Sequence, residues 1–134
     1  MMKDFKIMTF DGTSIEVRHL QEDEDAYEVS RDFIGGYLEL VAMPDLNEHD
    51  IDMFCDEEGK LKGLKPTIIL VNGRMYLDTI VGNVVFSKHD DEGNTISLDD
   101  EDIKLIRDKF DNDGFMFIGD DMVQVFDMEE KNGR

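Results

Sequence analysis

The chain has 134 residues, of which 40% are hydrophobic, and its 33 acidic and 14 basic residues give a formal net charge of -19. A chain of this length forms one domain by default, so we expect a single domain over residues 1–134. The charge argues against direct nucleic-acid binding, which needs a basic surface, and the longest apolar stretch, residues 67–71, is too short to cross a membrane.

The N-terminus and the cysteine content indicate a compartment. Residues 1–6 include lysines and an acid but no apolar run that leads to a cleavage site, so we expect no secretory signal. Cys55 is the single cysteine, which excludes an internal disulfide and fits a reducing environment. We therefore predict a cytoplasmic protein that binds no membrane.

The first half of the chain predicts strands around one helix. Alternating apolar residues on both sides of Asp11-Gly12 indicate a hairpin. The acidic residues 22–25 then open a helical pattern that stops at Gly35-Gly36, because glycine adopts the left-handed conformation that ends helices. Strands are predicted over residues 37–43 and 51–55, separated by a polar connection.

The second half predicts three strand regions and one helix. Residues 67–71 favour a strand that ends in an Asn72-Gly73 turn, and residues 79–87 favour another, in which Gly82 indicates a bulge or a close backbone approach. Ser97 and Asp100 approximate the capping box of a helix that extends to Phe110. A hairpin over residues 115–126 and a frayed tail over 128–134 complete an α+β fold, predicted as a mainly antiparallel sheet with two helices packed on one face.

Cysteine, histidine and glycine offer weak candidates for chemistry. His19, His49 and His89 show no ligand spacing, so we interpret them as solvated surface residues rather than metal ligands. Cys55 has no surrounding nucleophile signature and is interpreted as structural. The glycines match no phosphate-binding motif, and we expect no cofactor.

The tract Asp111-Asn112-Asp113-Gly114 resembles part of a calcium loop, but the alignment fails at the first ligand position, which is Lys109. A turn that ends a helix is the better interpretation.

Four acidic runs carry the functional prediction, and the first two are the predicted partner-binding residues. The runs are Glu22, Asp23, Glu24 and Asp25; Asp99, Asp100, Glu101 and Asp102; Asp120 and Asp121; and residues 127–130. Duplex DNA presents one charge per about 1.7 Å of its axis, so a compact domain with such runs along one face can imitate DNA. We expect a basic protein surface as the partner. The competing interpretation is that helix N-termini and turns simply favour acids.

A second hypothesis, from another class, is a small-ligand binding module. The basic stretch between residues 60 and 88 contains Lys60, Lys62, Lys65 and Arg74, which could together hold a nucleotide or another anion. This hypothesis requires their cationic groups to converge. An enzyme has no sequence support beyond the abundance of carboxylates, and we expect none.

Four segments resemble the domains catalogued as domain of unknown function 3846. These are residues 34–41 (IGGYLELV), 56–64 (DEEGKLKGL), 80–85 (IVGNVV) and 97–103 (SLDDEDI), in matching order over about residues 29–110. Cys55 departs from the family, which usually shows a polar residue there, and the predicted C-terminal hairpin extends beyond its domain. The resemblance implies an accessory protein of phages or other mobile elements and brings no catalytic residues to transfer.

Overall fold

The computed structural model describes residues 4–129 of the chain, which contain ten strands and three helices. The strands are β1 (Phe5–Phe10), β2 (Ile15–Leu20), β3 (Leu38–Val41), β4 (Ile51–Asp56), β5 (Pro66–Asn72), β6 (Met75–Val81), β7 (Val84–His89), β8 (Thr95–Ile96), β9 (Phe115–Ile118) and β10 (Asp121–Asp127). The helices are α1 (Ala26–Ile34), α2 (Pro44–Asn47) and α3 (Asp100–Asp113).

The larger sheet has six strands in the order β2-β1-β7-β4-β3, with the short β8 beside β7. All of its pairs are antiparallel. The N-terminal hairpin, β1 and β2, is confirmed, and so are the strands predicted on either side of the polar connection. That connection contains the short helix α2, which begins at Pro44, a residue that suits the first turn of a helix.

The smaller sheet has four strands in the order β6-β5-β10-β9. Two hairpins form it, and the strands β5 and β10 join them in parallel. Both hairpins agree with the sequence prediction. The single strand predicted over residues 79–87 and its bulge at Gly82 are wrong, because β6 ends at Val81 in the smaller sheet and β7 begins at Val84 in the larger one. The alternative, a close approach at Gly82, agrees with the structure, since a Cβ atom there would lie 2.7 Å from Leu64 Cδ1. Gly82 turns the chain between the sheets at a φ of 77°, in the left-handed region that favours glycine.

The helix α1 has the predicted limits. The Asp25 carboxylate accepts a hydrogen bond from the backbone N–H of Glu28, and Gly35 ends the helix at a φ of 86°.

The helix α3 begins two residues later than predicted, because the capping box is formed by Asp99 and Asp102. Ser97 lies before the helix, where its Oγ accepts a hydrogen bond from the backbone N–H of Lys6 at 2.8 Å.

The larger sheet is covered on both faces. One face packs against the smaller sheet and α3, through a core that includes Met8, Phe10, Met53, Phe86, Ile68, Leu70, Phe126, Ile106 and Phe110. The other face packs against α1, through Ile7, Leu20, Val85 and Ile34. The α+β class with mainly antiparallel pairing is confirmed, but the two long helices lie on opposite faces of this sheet, where one face was expected.

The segment after β10 is attached to the fold as far as it is described. The backbone N–H of Met128 donates to the carbonyl of Val71 at 2.8 Å, and its side chain packs against the core. The predicted tail therefore begins later than residue 128, and its residues 130–134 lie outside the described part of the chain. Within residues 4–129, no helix has the length and apolar character needed to span a membrane.

Candidate functional site

The register of the larger sheet brings distant parts of the chain to one end. Phe5, at the start of β1, pairs with Leu20, at the end of β2. β7 runs antiparallel to β1, and Lys88 near its end pairs with Ile51 at the start of β4. The first residues of β1 and β4 therefore meet the last residues of β2 and β7.

Both long helices also begin at this end of the sheet. Helix α1 follows β2 after a short connection. The start of α3 is held to β1 and β7 by two lysines: Lys6 Nζ lies 3.3 Å from Asp100 Oδ1, and Lys88 Nζ lies 3.0 Å from Asp102 Oδ2. The two acidic runs predicted to bind a partner, residues 22–25 and 99–102, are thus placed at the same end of the molecule. The other two are not: Asp120 and Asp121 line a cavity with Asp11 at the β1–β2 turn, and Asp127 is the last residue of β10.

Carboxylates dominate this region, called the acidic end below. Among residues 4–129, its basic side chains are those of Lys6, Arg18, Lys88 and the three histidines. Its acidic residues are Asp4, Glu22, Asp23, Glu24, Asp25, Glu48, Asp50, Asp52, Asp90, Asp91, Glu92, Asp99, Asp100, Glu101 and Asp102.

Some of these carboxylates have structural roles. Asp25 and Asp99 cap the two helices, and Glu24 pairs with the Arg18 guanidinium at 2.7 Å. The side-chain hydrogen bond from Arg18 lowers the pKa of Glu24, and the hydrogen bond from the backbone N–H of Asp102 lowers the pKa of Asp99. These groups are negatively charged at neutral pH and stabilise the ends of the elements that carry them.

Other carboxylates of the acidic end have no such role. Among residues 4–129, they accept no side-chain hydrogen bond and form no ion pair, and all of them are exposed: Glu22, Asp23, Asp91, Glu92 and Glu101. Their charges face solvent directly. Glu101 lies in the first turn of α3, and the other four lie in turns, so a general preference of these positions for acids also applies to them. None of the five, however, caps a helix or forms an ion pair among the described residues.

Sequence reasoning identified the two runs and missed the rest of the acidic end. Asp4, Glu48, Asp50, Asp52 and residues 90–92 are isolated acids or turn acids when the chain is viewed in order. Only the strand order places them beside the runs, and local patterns do not specify strand order.

The three histidines also lie at the acidic end, and each contacts a carboxylate. The shortest distance joins His89 Nδ1 to Asp52 Oδ2, at 2.7 Å, and this hydrogen bond raises the pKa of His89. His19 lies 3.1 Å from Asp4, and His49 lies 3.6 Å from Glu48. In the described part of the chain, no three or more His, Cys, Asp or Glu side chains are arranged to hold a metal ion.

The basic residues of the alternative hypothesis are placed apart. Lys60 pairs with Asp78 at 2.6 Å, Lys62 with Asp56 at 2.7 Å, and Lys65 with Asp121 at 3.7 Å. Lys60 lines a cavity of about 250 Å³ and Lys65 a different one of about 310 Å³, and carboxylates line both. Arg74 follows β5 whereas Lys65 precedes it, so a seven-residue strand separates them.

Lys62 and Asp56 belong to a junction at the opposite end of the larger sheet, where β4 ends and β3 begins. Lys62 Nζ also donates to the carbonyl of Gly35 at 3.1 Å, which satisfies the C-terminus of α1. A Cβ atom on Gly36 would lie 2.8 Å from the Asp56 carboxylate and 2.8 Å from Lys62 Nζ. Gly35 therefore provides the left-handed turn, and Gly36 provides the space for the ion pair.

The environment of the Asp56 carboxylate favours its charged form. Burial opposes ionisation, but hydrogen bonds from Lys62 and from the backbone N–H of Glu58 outweigh it, so the pKa of Asp56 is lowered. The neighbouring Cys55 is in the opposite situation. Burial, assisted by the negative charge of Glu39, raises the pKa of its thiol to about 12. A protonated, buried thiol supports the interpretation of Cys55 as a structural residue.

The described turn at residues 111–114 confirms the interpretation of that tract as the end of α3. The helix ends at Asp113, whose carboxylate accepts hydrogen bonds from Lys109 Nζ at 2.8 Å and from the backbone N–H of Asp127 at 2.9 Å.

Comparison with known families gave one match. A family model described as "Domain of unknown function (DUF3846)" matches residues 5–111. The match agrees with the resemblance seen in the sequence, begins earlier than residue 29, and leaves the hairpin of β9 and β10 outside. No curated protein and no solved structure gave a significant match.

Proposed function

The chain belongs to the domain of unknown function 3846 family, and we propose that it is a non-enzymatic acidic accessory protein whose acidic end binds a basic protein surface. In this proposal it works in the cytoplasm, as an accessory protein of a phage or another mobile element. Its partner is a host factor that binds nucleic acid or takes part in defence, and the acidic end occupies the surface that would otherwise contact DNA.

The observation that carries the proposal is the gathering of carboxylates from five separate segments at one end of one sheet. Helix capping explains Asp25 and Asp99, but exposed acids such as Glu22, Asp91 and Glu101 cap no helix and form no ion pair among the described residues. Clustered like charges destabilise a folded chain by repulsion. A basic partner would remove that repulsion on binding, and complementary charge would speed its association.

The test uses two variants with equal changes in charge. The first neutralises the acidic end through Glu22→Gln, Asp23→Asn, Asp91→Asn and Glu101→Gln. The second neutralises exposed acids away from it through Asp32→Asn, Glu57→Gln, Glu58→Gln and Asp111→Asn. Each immobilised protein is incubated with bacterial lysate at low and high salt, and retained proteins are identified and then tested for competition by duplex DNA.

We expect the wild-type protein and the second variant to retain the same basic protein. The first variant should bind this protein roughly tenfold more weakly. High salt and duplex DNA should each displace the bound protein from the wild type, because each weakens the attraction between the charges of the interface. Equal loss in the two variants would mean that net charge alone is responsible. Retention by all three proteins, or failure of DNA to compete, would contradict the proposed interface or the mimicry respectively.

A further inference from the structure

Strand β9 exposes an apolar segment that the fold does not cover. Its residues Phe115, Met116, Phe117 and Ile118 are 58%, 44%, 63% and 43% exposed, and Met122 on the neighbouring strand is 59% exposed. No charged residue occurs between Asp113 and Asp120. A contiguous apolar surface of this kind marks an interaction site more often than a chance exposure.

The backbone of β9 is also available for pairing. β9 is the outer strand of the smaller sheet and pairs with β10 alone within the described residues. The Val125 N–H donates to the Gly114 carbonyl at 2.9 Å, and hydrogen-bonded pairs alternate along an antiparallel ladder. Phe115 and Phe117 therefore direct their backbone N–H and C=O groups away from β10.

The other outer strands of the two sheets are protected by charge. β2 contains Glu16 and Arg18, β3 contains Glu39, and β6 contains Asp78. Charged residues on an edge strand prevent pairing with other chains because pairing would bury or crowd the charge. β9 lacks this protection on either face.

We propose that two copies of the chain associate through β9. The two strands pair antiparallel about a two-fold axis at Met116, and the two four-stranded sheets become one continuous eight-stranded sheet. This register pairs Phe115 of each copy with Phe117 of the other and satisfies the outward backbone groups of both. A strand that pairs with its own copy in this way forms a closed, symmetric interface.

The exposed area is sufficient for a reversible dimer. A Phe side chain buries 150–250 Å² when fully covered, so each of these half-exposed rings still offers on the order of 100 Å². The five apolar side chains together offer roughly 400–500 Å² per copy. The resulting upper bound of about 800–1,000 Å² of total buried surface lies below the roughly 1,200–2,000 Å² of stable specific interfaces and in the range of weak, transient ones. It indicates a dimer in exchange with its monomer.

The charges close to β9 permit a second copy to approach, although the net charge of the chain opposes it. The acids nearest to β9 are partly compensated: Asp113 pairs with Lys109 at 2.8 Å, and Asp121 lies 3.7 Å from Lys65. Each copy has a net charge of -19, so repulsion opposes association and salt should strengthen it.

Sedimentation velocity tests the proposal directly. Wild-type protein is measured from about 1 µM to about 500 µM in about 50 mM and about 500 mM NaCl. Met116→Lys places a lysine of each copy at the two-fold axis. Met75→Lys makes the same change on the protected edge β6, where Met75 is 65% exposed, and is the matched control. Circular dichroism checks that both variants are folded.

We expect the wild-type mass to rise from monomer to dimer with concentration and to do so at lower concentration in high salt. Met116→Lys should weaken the dimer at least about tenfold, because two like charges meet in a desolvated position, and Met75→Lys should behave as the wild type. A monomer at every concentration, an open-ended growth beyond the dimer, or equal effects of the two variants would overturn the proposal.

A cross-linking experiment gives an independent result that does not depend on the lysine variant being folded. Residues at the axis form a non-hydrogen-bonded pair with Cα atoms about 4.5 Å apart, a distance that a disulfide can bridge. Mild oxidation should therefore convert Met116→Cys into a covalent dimer much faster than Met75→Cys. Equal rates for the two cysteine variants would show that the contact is random.

Discussion

The two ends of the larger sheet contain the same kinds of charged residue and use them differently. At the opposite end, the buried Asp56 carboxylate is matched by Lys62, which also holds the C-terminus of α1. At the acidic end, carboxylates such as Glu22 and Glu101 face solvent and have no ion pair among the described residues. The buried charge at the first end stabilises the fold, whereas the exposed, unpaired charge at the second end is available to a partner.

This difference has a cause in the chain. The junction at the opposite end joins three of the family-like segments: Gly36 leaves space for Asp56 and Lys62, and Asn83 Nδ2 donates to the carbonyl of Phe33 at 2.8 Å. The junction is a packed arrangement in which the buried polar side chains have partners. The acidic end is instead built from connections between strands, and connections at a surface need no internal partner.

The largest expected difference between the ends is chemical accessibility. At pH 8, a thiol with a pKa of about 12 has roughly a thousandth of the thiolate of one with the ordinary value of 9.0. We expect Cys55 to react with Ellman's reagent at least about a thousandfold more slowly in native than in urea-unfolded protein, because burial adds to this effect. Asp91→Cys, at the acidic end, supplies an exposed reference thiol that should react fast in the folded protein. A fast native reaction of Cys55 would contradict the description of this end as closed.

The second prediction compares single carboxylates at the two ends. Asp56→Ala should lower the free energy of unfolding by about 2–3 kcal/mol, less than a fully buried pair would lose, because Lys62 is partly exposed. Glu22→Ala, at the acidic end, should change it by no more than about 0.5 kcal/mol. Urea denaturation at pH 7 measures both. An equal loss of unfolding free energy from the two substitutions would contradict the distinction between the two ends.

The pH dependence of this second prediction has a defined sign. The pKa of Asp56 is lower in the folded chain than its ordinary value of 3.8, so the unfolded state binds the proton more readily. The stabilisation is therefore fully present above pH 3.8 and is lost as the pH falls through the folded-state pKa. The difference between the wild type and Asp56→Asn should decrease in that acidic range, and a difference that persisted there would argue against the ion pair as its source.

Sequence reasoning located the elements better than their arrangement. The limits of α1 follow from the side chain of Asp25, which caps its start, and from the left-handed conformation of Gly35, which ends it. Both signals lie next to the helix in the sequence. The bulge predicted at Gly82 is wrong because a bulge and a crossover between sheets both place a flexible residue at the same point of the chain. Only long-range pairing distinguishes them.

The candidate site shows the same limit. The two acidic runs were visible as composition, but their meeting with Asp52 and Asp90 depends on the order β2-β1-β7-β4. Likewise, the sequence does not indicate that Lys60 and Lys65 line separate cavities, because each lysine is drawn to a carboxylate distant in the chain. Pairing between distant residues determines how the candidate site is assembled, and local sequence patterns do not specify that pairing.

The smallest expected effect concerns His89, whose ion pair lies at the acidic end but resembles those at the opposite end. The hydrogen bond to Asp52, together with the charges of Asp50 and Asp90, raises its pKa in the folded chain above the ordinary value of 6.5. The stabilisation is therefore complete below pH 6.5 and is lost as the pH rises through the folded-state pKa. Because the imidazole is 38% exposed, solvent screening limits the effect to about 0.5 kcal/mol.

Urea denaturation of the wild type and His89→Gln at several pH values between about 5 and 9 measures this contribution. The difference in unfolding free energy should decrease as the pH rises, and it should lose its pH dependence in an Asp52→Asn background. A difference that grew with pH would reverse the assigned sign. A loss of unfolding free energy as large as that for Asp56→Ala would show that the His89–Asp52 pair stabilises the fold as strongly as the Lys62–Asp56 pair does. The contrast between the two ends would then rest on the unpaired acids alone.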